Sequence, residues 1–531
     1  MMREKLRWIA ALLLATNLGI VAPGSALAAG PEVNAVGGAA TSTPIKHLVV
    51  IFQENVSFDH YFGTYPHAAN PSGQPFFFTS GATPTVNGLT QGLLERNPST
   101  DKAGNFYQPV RLDISQNYTC DQNHDYTPEQ QAFDSGLMDK FPEFAATPCP
   151  ANPYSDVSGL GAGVVMGYYD GNTATGLWNY AQNYVLNDNF FGTNFGPSTP
   201  GAINVISGMT GNADPTASAT AIAAGDVVNN SVIGDPDPAY DDCSGTEVAG
   251  MSSTNLNVGN LLSAKGISWA WFQGGFTPTT PATANAPAAC ATKTLRIDGT
   301  PETAYSPHHN PFQYYKSTSN PHHLAPTSIA EVGHDGQANH QYDLSMFQTA
   351  ALANGLPSVT YLKANRAQDG HPGNSSPLDE QVFLVNTINF LQTLPDWPTT
   401  AVIITWDDSD GWYDHVMSPI VNTSASTADG LTGAGLCGTG VNALAALQSR
   451  CGYGPRIPML VISPYAKNNI VDHTLTDQSS VVRFIEENWG LPQIDGSFDS
   501  VAGPLTNAFN FNFQRKAKLI LNPSTGQVVS Q

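Results

Sequence analysis

Residues 45–66 read IKHLVVIFQENVSFDHYFGTYP, and the fold turns on the break inside them. Residues 48–52 (LVVIF) are apolar, β-branched or aromatic, the content of a strand buried on both faces. The run stops abruptly at Gln53-Glu54-Asn55. A carboxylate beside an amide is an odd way to end a core element. In open α/β sheets, however, ligands sit just beyond the carboxyl ends of the strands. A second stretch repeats the pattern: residues 401–406 (AVIITW) lead straight into Asp407-Asp408. Two such strands place Glu54, Asn55, Asp407 and Asp408 around one point, the outline of a metal site.

Length and charge bound the rest. The chain has 531 residues and a net charge of −22, from 21 Lys+Arg against 43 Asp+Glu, which excludes a general nucleic-acid binder. Its 49 Gly and 39 Pro with few charges fit a loop-rich enzyme surface. Residues 1–28 read as a secretory signal: basic Arg3, Lys5 and Arg7, an apolar 8–15 stretch, then a small-residue site at Ala26-Leu27-Ala28. Thr16, Asn17 and Gly19 interrupt the apolar run and argue against a membrane anchor. No other segment approaches the roughly 18 apolar residues of a span. With no twin-arginine pair, general secretion to the periplasm or medium is the simpler route.

All six cysteines follow the signal. An even number in an exported chain favours disulfides, for which sequence alone allows about 15 pairings. Proximity favours 120–149, 243–290 and 437–451; a zinc cluster is the weaker reading because no C-x-x-C occurs.

In chain order, 29–44 is a leader and 66–110 an insertion over the site. A helix is expected over 128–141, and 177–191 begins as a helix. Residues 192–204 form a loop, with a helix-like continuation at 205–210. Short strands and Pro-rich loops over 212–330 make a lobe or lid, although 261–272 reads as helix end, Gly266 turn and strand. Residues 358–362 (SVTYL) are a strand, and Ser376 caps a helix with Pro377 at its first position. Residues 417–457 read as a surface insertion, 458–465 as a buried strand, 478–489 as a helix stopped by Gly490, and 505–531 as a tail. The expected fold is α/β: a three-layer sandwich, its mainly parallel sheet covered by helices on both faces, with loop-rich lid insertions.

Residues 54–63 (ENVSFDHYFG) also resemble the opening signature of the bacterial phosphoesterase family, which holds secreted acid phosphatases and phosphatidylcholine-type phospholipases C within the alkaline-phosphatase superfamily. The resemblance extends over 45–504, taken as the catalytic domain. It includes His124 before a helix ending in Met138-Asp139, a loop with Ser198 two residues before Pro200, the pair His308-His309, and His371 before a helix. It also includes Gly411-Trp412-Tyr413-Asp414-His415-Val416. What the resemblance implies is a nucleophile at Ser198, with Thr199 as the adjacent alternative. His124, His308, His309 and His371 would meet the phosphate or the leaving group. Asp414 and His415 would hold a loop, and His322 and His323 fall outside the pattern as structural residues. The family often has Pro-Asn-Arg after the nucleophile; here Pro200-Gly201-Ala202 stands there, with Asn204 able to substitute.

The implied chemistry is hydrolysis of a phosphate ester through a phosphoseryl intermediate, assisted by one divalent ion (Ca, Mg, Mn or Zn) on Glu54, Asn55, Asp407 and Asp408. Two substrate classes share this machinery. The phospholipase branch often carries further β-rich domains, and here the chain ends soon after the last core helix, which favours acid phosphatase on monoesters. Phospholipase C action is the alternative; it needs an apolar rim, for which Pro75-Phe76-Phe77-Phe78 is available, and transient contact with a membrane surface. A non-catalytic phosphate-ester binder would need a lost key residue, and Glu54, Asn55, Ser198 and Asp407 all stand in place.

Overall fold

The computed structural model describes residues 40–433, 436–437 and 450–531; the expected signal and most of the leader lie outside them. Eight strands form the central sheet: His47–Gln53 (β1), Val185–Asn187 (β2), Trp269–Gln273 (β3), Gln341–Asp343 (β4), Val359–Lys363 (β5), Thr400–Trp406 (β6), Met459–Ile462 (β7) and Ile470–Asp472 (β8). Their spatial order is β4-β3-β5-β1-β6-β7-β2-β8. Only β7 runs antiparallel to its neighbours. The mainly parallel α/β sheet read from the sequence is therefore present. Trp269–Gln273, inside the 212–330 region, belongs to it, so that region supplies core as well as loops.

β1 sits in the middle, flanked by parallel β5 and β6. Strand side chains alternate faces, and its apolar residues supply both sides of the sheet. Val49 and Ile51 join one core with Trp178 and Tyr180 of helix Thr175–Asn183 and with Leu384, Val385 and Ile388 of helix Pro377–Leu391. Leu48, Val50 and Phe52 join the other with Ile203 and Ile206 of helix Ser198–Ser207 and with Val481, Phe484 and Ile485 of helix Ser479–Trp489. Those are the three layers. Helix Pro377–Leu391 opens with the expected Ser376 cap, completed by Asp379 into a reciprocal capping box.

Four expectations change. The helix expected over 128–141 is broken: Tyr126–Ala132 and Phe141–Phe144 are separate, because Asp134, Ser135 and Met138 take positive φ (40°, 56° and 54°) that no right-handed helix accommodates. The loop expected over 192–204 is shorter, since the helix already starts at Ser198 and Pro200 sits in its first turn, where no N–H is needed. Phe77 is no rim residue; it packs edge-on against Trp178, leaving Phe76 and Phe78 exposed.

The fourth concerns 417–457, which is not surface throughout. Among its described residues, Arg450 and Arg456 are fully buried. The Arg450 guanidinium donates to Asn204, Thr210 and the Gly208 carbonyl. Arg456 reaches Asp59 and Asp414, each at 3.0 Å, and the carbonyls of Asn87 and Asp188. A buried guanidinium with this many acceptors fixes loops to one another. Cysteine pairing is 120–149, 243–290 and 437–451.

One buried acid pair carries a pH signature. Glu486 faces Asp499 at the end of the last helix, and burial, with repulsion from Asp499, pushes Glu486 up to about 9 from 4.5. Below about pH 4.5 it is protonated both folded and unfolded. Above that the unfolded chain ionises it first, so its contribution to stability falls as pH rises toward 9. Glu486→Gln is neutral at every pH. Thermal unfolding followed by circular dichroism should find the variant melting above the wild type at about pH 8 and level with it at about pH 4. A pH-independent difference would contradict this assignment.

Candidate active site

Gln53 and Trp406 lie opposite each other in the β1–β6 register, so Glu54 and Asp407 leave the sheet side by side. Glu380, reaching in from helix Pro377–Leu391, fastens both strand ends. It accepts from Gln53 Nε2 (3.2 Å), Trp406 Nε1 (3.0 Å) and the Tyr61 hydroxyl (2.9 Å). Beyond β1, Asn55 takes a left-handed φ of 62°, a conformation Asn tolerates well. Its N–H and that of Asp408 both donate to Asp407 Oδ1, at 2.8 and 2.7 Å. Asp410, also left-handed, donates its N–H to Asp408 Oδ1 (2.6 Å) and accepts from the Asn55 amide (3.1 Å). Each acid is thus aimed by backbone.

Helix Ser198–Ser207 delivers the hydroxyl. Ser198 is its first residue, and Gly201 one turn on lies against β6: a Cβ there would overlap the Asp407 carbonyl. Ser198 Oγ ends 3.0 Å from Glu54 Oε2, 3.1 Å from Asp408 Oδ2 and 3.4 Å from Asn55 Oδ1. Thr199 faces elsewhere. Its hydroxyl meets Tyr314 at 3.1 Å and its N–H donates to Asp235 at 2.8 Å.

The four histidines line one cavity of about 330 Å³, together with Asp121, Asp235 and Arg366. His124 Nε2 is 3.4 Å from the Asn55 amide and His309 Nδ1 is 3.3 Å from Glu54 Oε1, so Asn55 and Glu54 lie directly behind that wall. Burial disfavours the His124 cation, yet Asp408, Asp121 and Asp235 push it up to about 10. His308 likewise rises to about 9 against its burial, bonded to Asp237 at 3.2 Å. His309 is driven well down by burial and by the cations of His308 and Lys363, and burial also lowers His371.

The oxygen cluster is overloaded with negative charge. Burial raises Glu54, and burial with mutual repulsion raises Asp407 and Asp408 well above the usual carboxylate range. Asp407 Oδ2 is buried without a hydrogen-bond partner. One hydroxyl proton on Ser198 serves only one of the three acceptor oxygens around it. Carboxylates, an amide oxygen and a hydroxyl form a hard-oxygen donor set that a divalent cation fits.

All nine residues singled out in the sequence come to this one place. Others were missed. Lys363, the buried last residue of β5, pairs with Glu54. Glu129 accepts from Ser409 Oγ (2.6 Å) and the Gly196 N–H (3.0 Å), joining the Asp407 loop to the Ser198 loop. A lysine closing an otherwise apolar strand was a usable signal; Glu129, inside a polar helix, carried none. Asp414 and His415 do hold a loop: Asp414 pairs with Arg456, and His415 Nδ1 lies 2.6 Å from Asp59. His323 is buried against Asp241 (2.7 Å) and stacks on Phe276, apart from the cavity.

Comparison with known proteins adds three findings. A family model described as the Phosphoesterase family matches residues 45–492. Among curated proteins, a non-hemolytic phospholipase C of Pseudomonas aeruginosa is 27% identical over 489 residues, covering 88% of this chain and 57% of that protein. Phospholipase C A of Mycobacterium tuberculosis is 26% identical over 493 residues, covering 88% and 78%. The chain thus spans little more than half of the first relative. Among solved structures, a protein in the alkaline phosphatase superfamily from Vibrio parahaemolyticus aligns over 80% of this chain and 87% of its own, at 11% identity and a TM-score of 0.28.

Charge overload makes a melting experiment decisive. Chelator-treated protein should gain about 2–3 °C when a divalent cation is added at about a hundredfold excess over its Kd. Asp408→Asn should melt higher than wild type without cation, because one buried repulsion is gone, and should lose the cation response. A variant that still responds fully would remove Asp408 from the donor set.

Proposed function

Because the chain belongs to the Phosphoesterase family, we propose that it hydrolyses phospholipids in the manner of a phospholipase C, attacking phosphorus with Ser198 and releasing diacylglycerol and a phosphorylated head group. One observation carries the chemistry: Ser198 Oγ lies within 3.4 Å of oxygens from Glu54, Asn55 and Asp408, at the N-terminus of a helix. A phosphate approaching a helix N-terminus meets a favourable dipole.

Glu54, Asn55, Asp407 and Asp408 would hold a divalent cation, which lowers the hydroxyl pKa and offsets phosphoryl charge when bound. Ser198 Oγ bonds to phosphorus as the bond to the leaving oxygen breaks in line. His124 and His308, the wall histidines held protonated at neutral pH, donate to the phosphoryl and leaving oxygens. Water then attacks the phosphorus of the resulting Ser198–phospho-head-group diester, the phosphorus–Oγ bond breaks, the phosphorylated head group leaves and Ser198 regains its proton. Glu380 and Glu129 keep the strand ends and loops in register throughout.

Substrate class rests on the relatives: both curated matches described above are named phospholipases C and match along 88% of this chain. This reverses the preference for acid phosphatase drawn from the sequence. Monoester hydrolysis remains the second reading, favoured by the cation Arg366 in a small polar cavity, where a dianion would be welcome. Three disulfides and the N-terminal signal pattern support action outside the cytoplasm.

Phosphatidylcholine and p-nitrophenyl phosphate, assayed side by side, separate the two readings: diacylglycerol with weak monoester turnover supports the first, the converse supports the second. On whichever substrate is used, Ser198→Ala should lower kcat about a thousandfold or more and Thr199→Ala less than about tenfold. Full activity in Ser198→Ala would overturn the nucleophile.

A further inference from the structure

A second concavity of about 360 Å³ adjoins the catalytic cavity, and Gly373 lines both. Its walls are largely apolar, formed by the Cys120–Cys149 disulfide, Tyr118, Val157 and Tyr154. Tyr118 and Val157 are buried, whereas Tyr154 is 61% exposed. Thr119, Asn152 and Thr300 add polar lining, and the one charged side chain there is Arg296, whose guanidinium lies 4.6 Å over the Tyr118 ring and donates to the Gly373 carbonyl at 3.4 Å.

Arg296 decides what this groove accepts. Asp298 at 3.3 Å and Glu302 at 3.7 Å already balance its charge, so the groove does not call for an anion. Its side chain is only 9% exposed, and its Nε–H is buried with no acceptor among the described residues. A buried donor without a partner is costly to leave unmet. Largely apolar walls with one unmet donor and no surplus positive charge suit an apolar chain that carries a neutral acceptor. A carboxylic ester carbonyl on an alkyl chain has that chemistry.

We propose that this groove is the acyl subsite of the enzyme. The O-acyl ester of the leaving alcohol lies in it, its chain against Tyr118, Val157 and Tyr154 and its carbonyl accepting from Arg296 Nε, while the phosphate occupies the adjoining cavity. The proposal rests on the phospholipase reading and adds to it the residues that separate acylated substrates from unacylated ones. Arg296 and Tyr154 touch the leaving group and not the reacting phosphorus, so they act on substrate affinity.

The test compares dihexanoylphosphatidylcholine with glycerophosphocholine, which has the same phosphodiester and head group and no acyl chain. In the wild type, kcat/KM for the acylated substrate should exceed that for the unacylated one by at least about tenfold. Tyr154→Ser, at an exposed position, and Arg296→Lys, which removes the Nε donor, should each narrow that ratio about fivefold or more, through the KM of the acylated substrate. Matching melting temperatures would exclude misfolding as the cause. An unchanged ratio in both variants, or equal losses on both substrates as a head-group site would give, overturns the acyl subsite alone. No phosphocholine from either substrate in the wild type overturns the phospholipase reading, and the subsite falls with it.

Discussion

The constraint on which this structure depends is the gathering of Glu54, Asp407 and Asp408 at the ends of two adjacent buried strands. Carboxylates removed from water are unstable unless something positive or protic meets them. Here they meet one lysine, three backbone N–H groups and one serine hydroxyl. That is too little for three acids. The deficit is what a divalent cation would fill, and it turns a stability cost into affinity for that ion.

Much of the surrounding fold keeps that arrangement from relaxing. Glu380 holds the last residues of both strands, so neither strand end can twist its acid away. Gly201 lets the Ser198 helix lie against the Asp407 backbone, closer than any side chain permits. Arg456 ties the first helix after β1 to the loop after β6 through Asp59 and Asp414. The Glu380 and Ser198 helices lie on opposite faces of the sheet, so the site depends on the whole sandwich rather than on one motif.

The sheet and its ligand-bearing edge were legible because the physics is local. Five apolar residues followed by Gln53-Glu54-Asn55 announce a strand that ends at a site, and the same signal recurs at 401–408. Helix Pro377–Leu391 was legible from its cap. Legibility failed where backbone conformation decided: nothing in the composition of 128–141 announces positive φ at Asp134, Ser135 and Met138. It failed again at 417–457, whose small polar residues look solvated, because the partners of Arg450 and, apart from Asp414, those of Arg456 lie hundreds of residues away in sequence. Within the site, residue types that stand out beside an apolar run were found, and Glu129, one acid among polar neighbours, was not.

The central claim is that Ser198 is the atom source that meets phosphorus. Enzyme quenched in acid during turnover and digested for mass spectrometry tests this most directly. With phosphatidylcholine as substrate, the account predicts a phosphocholine ester in the peptide containing residue 198 and at that residue. The same ester found on Thr199 instead would contradict it.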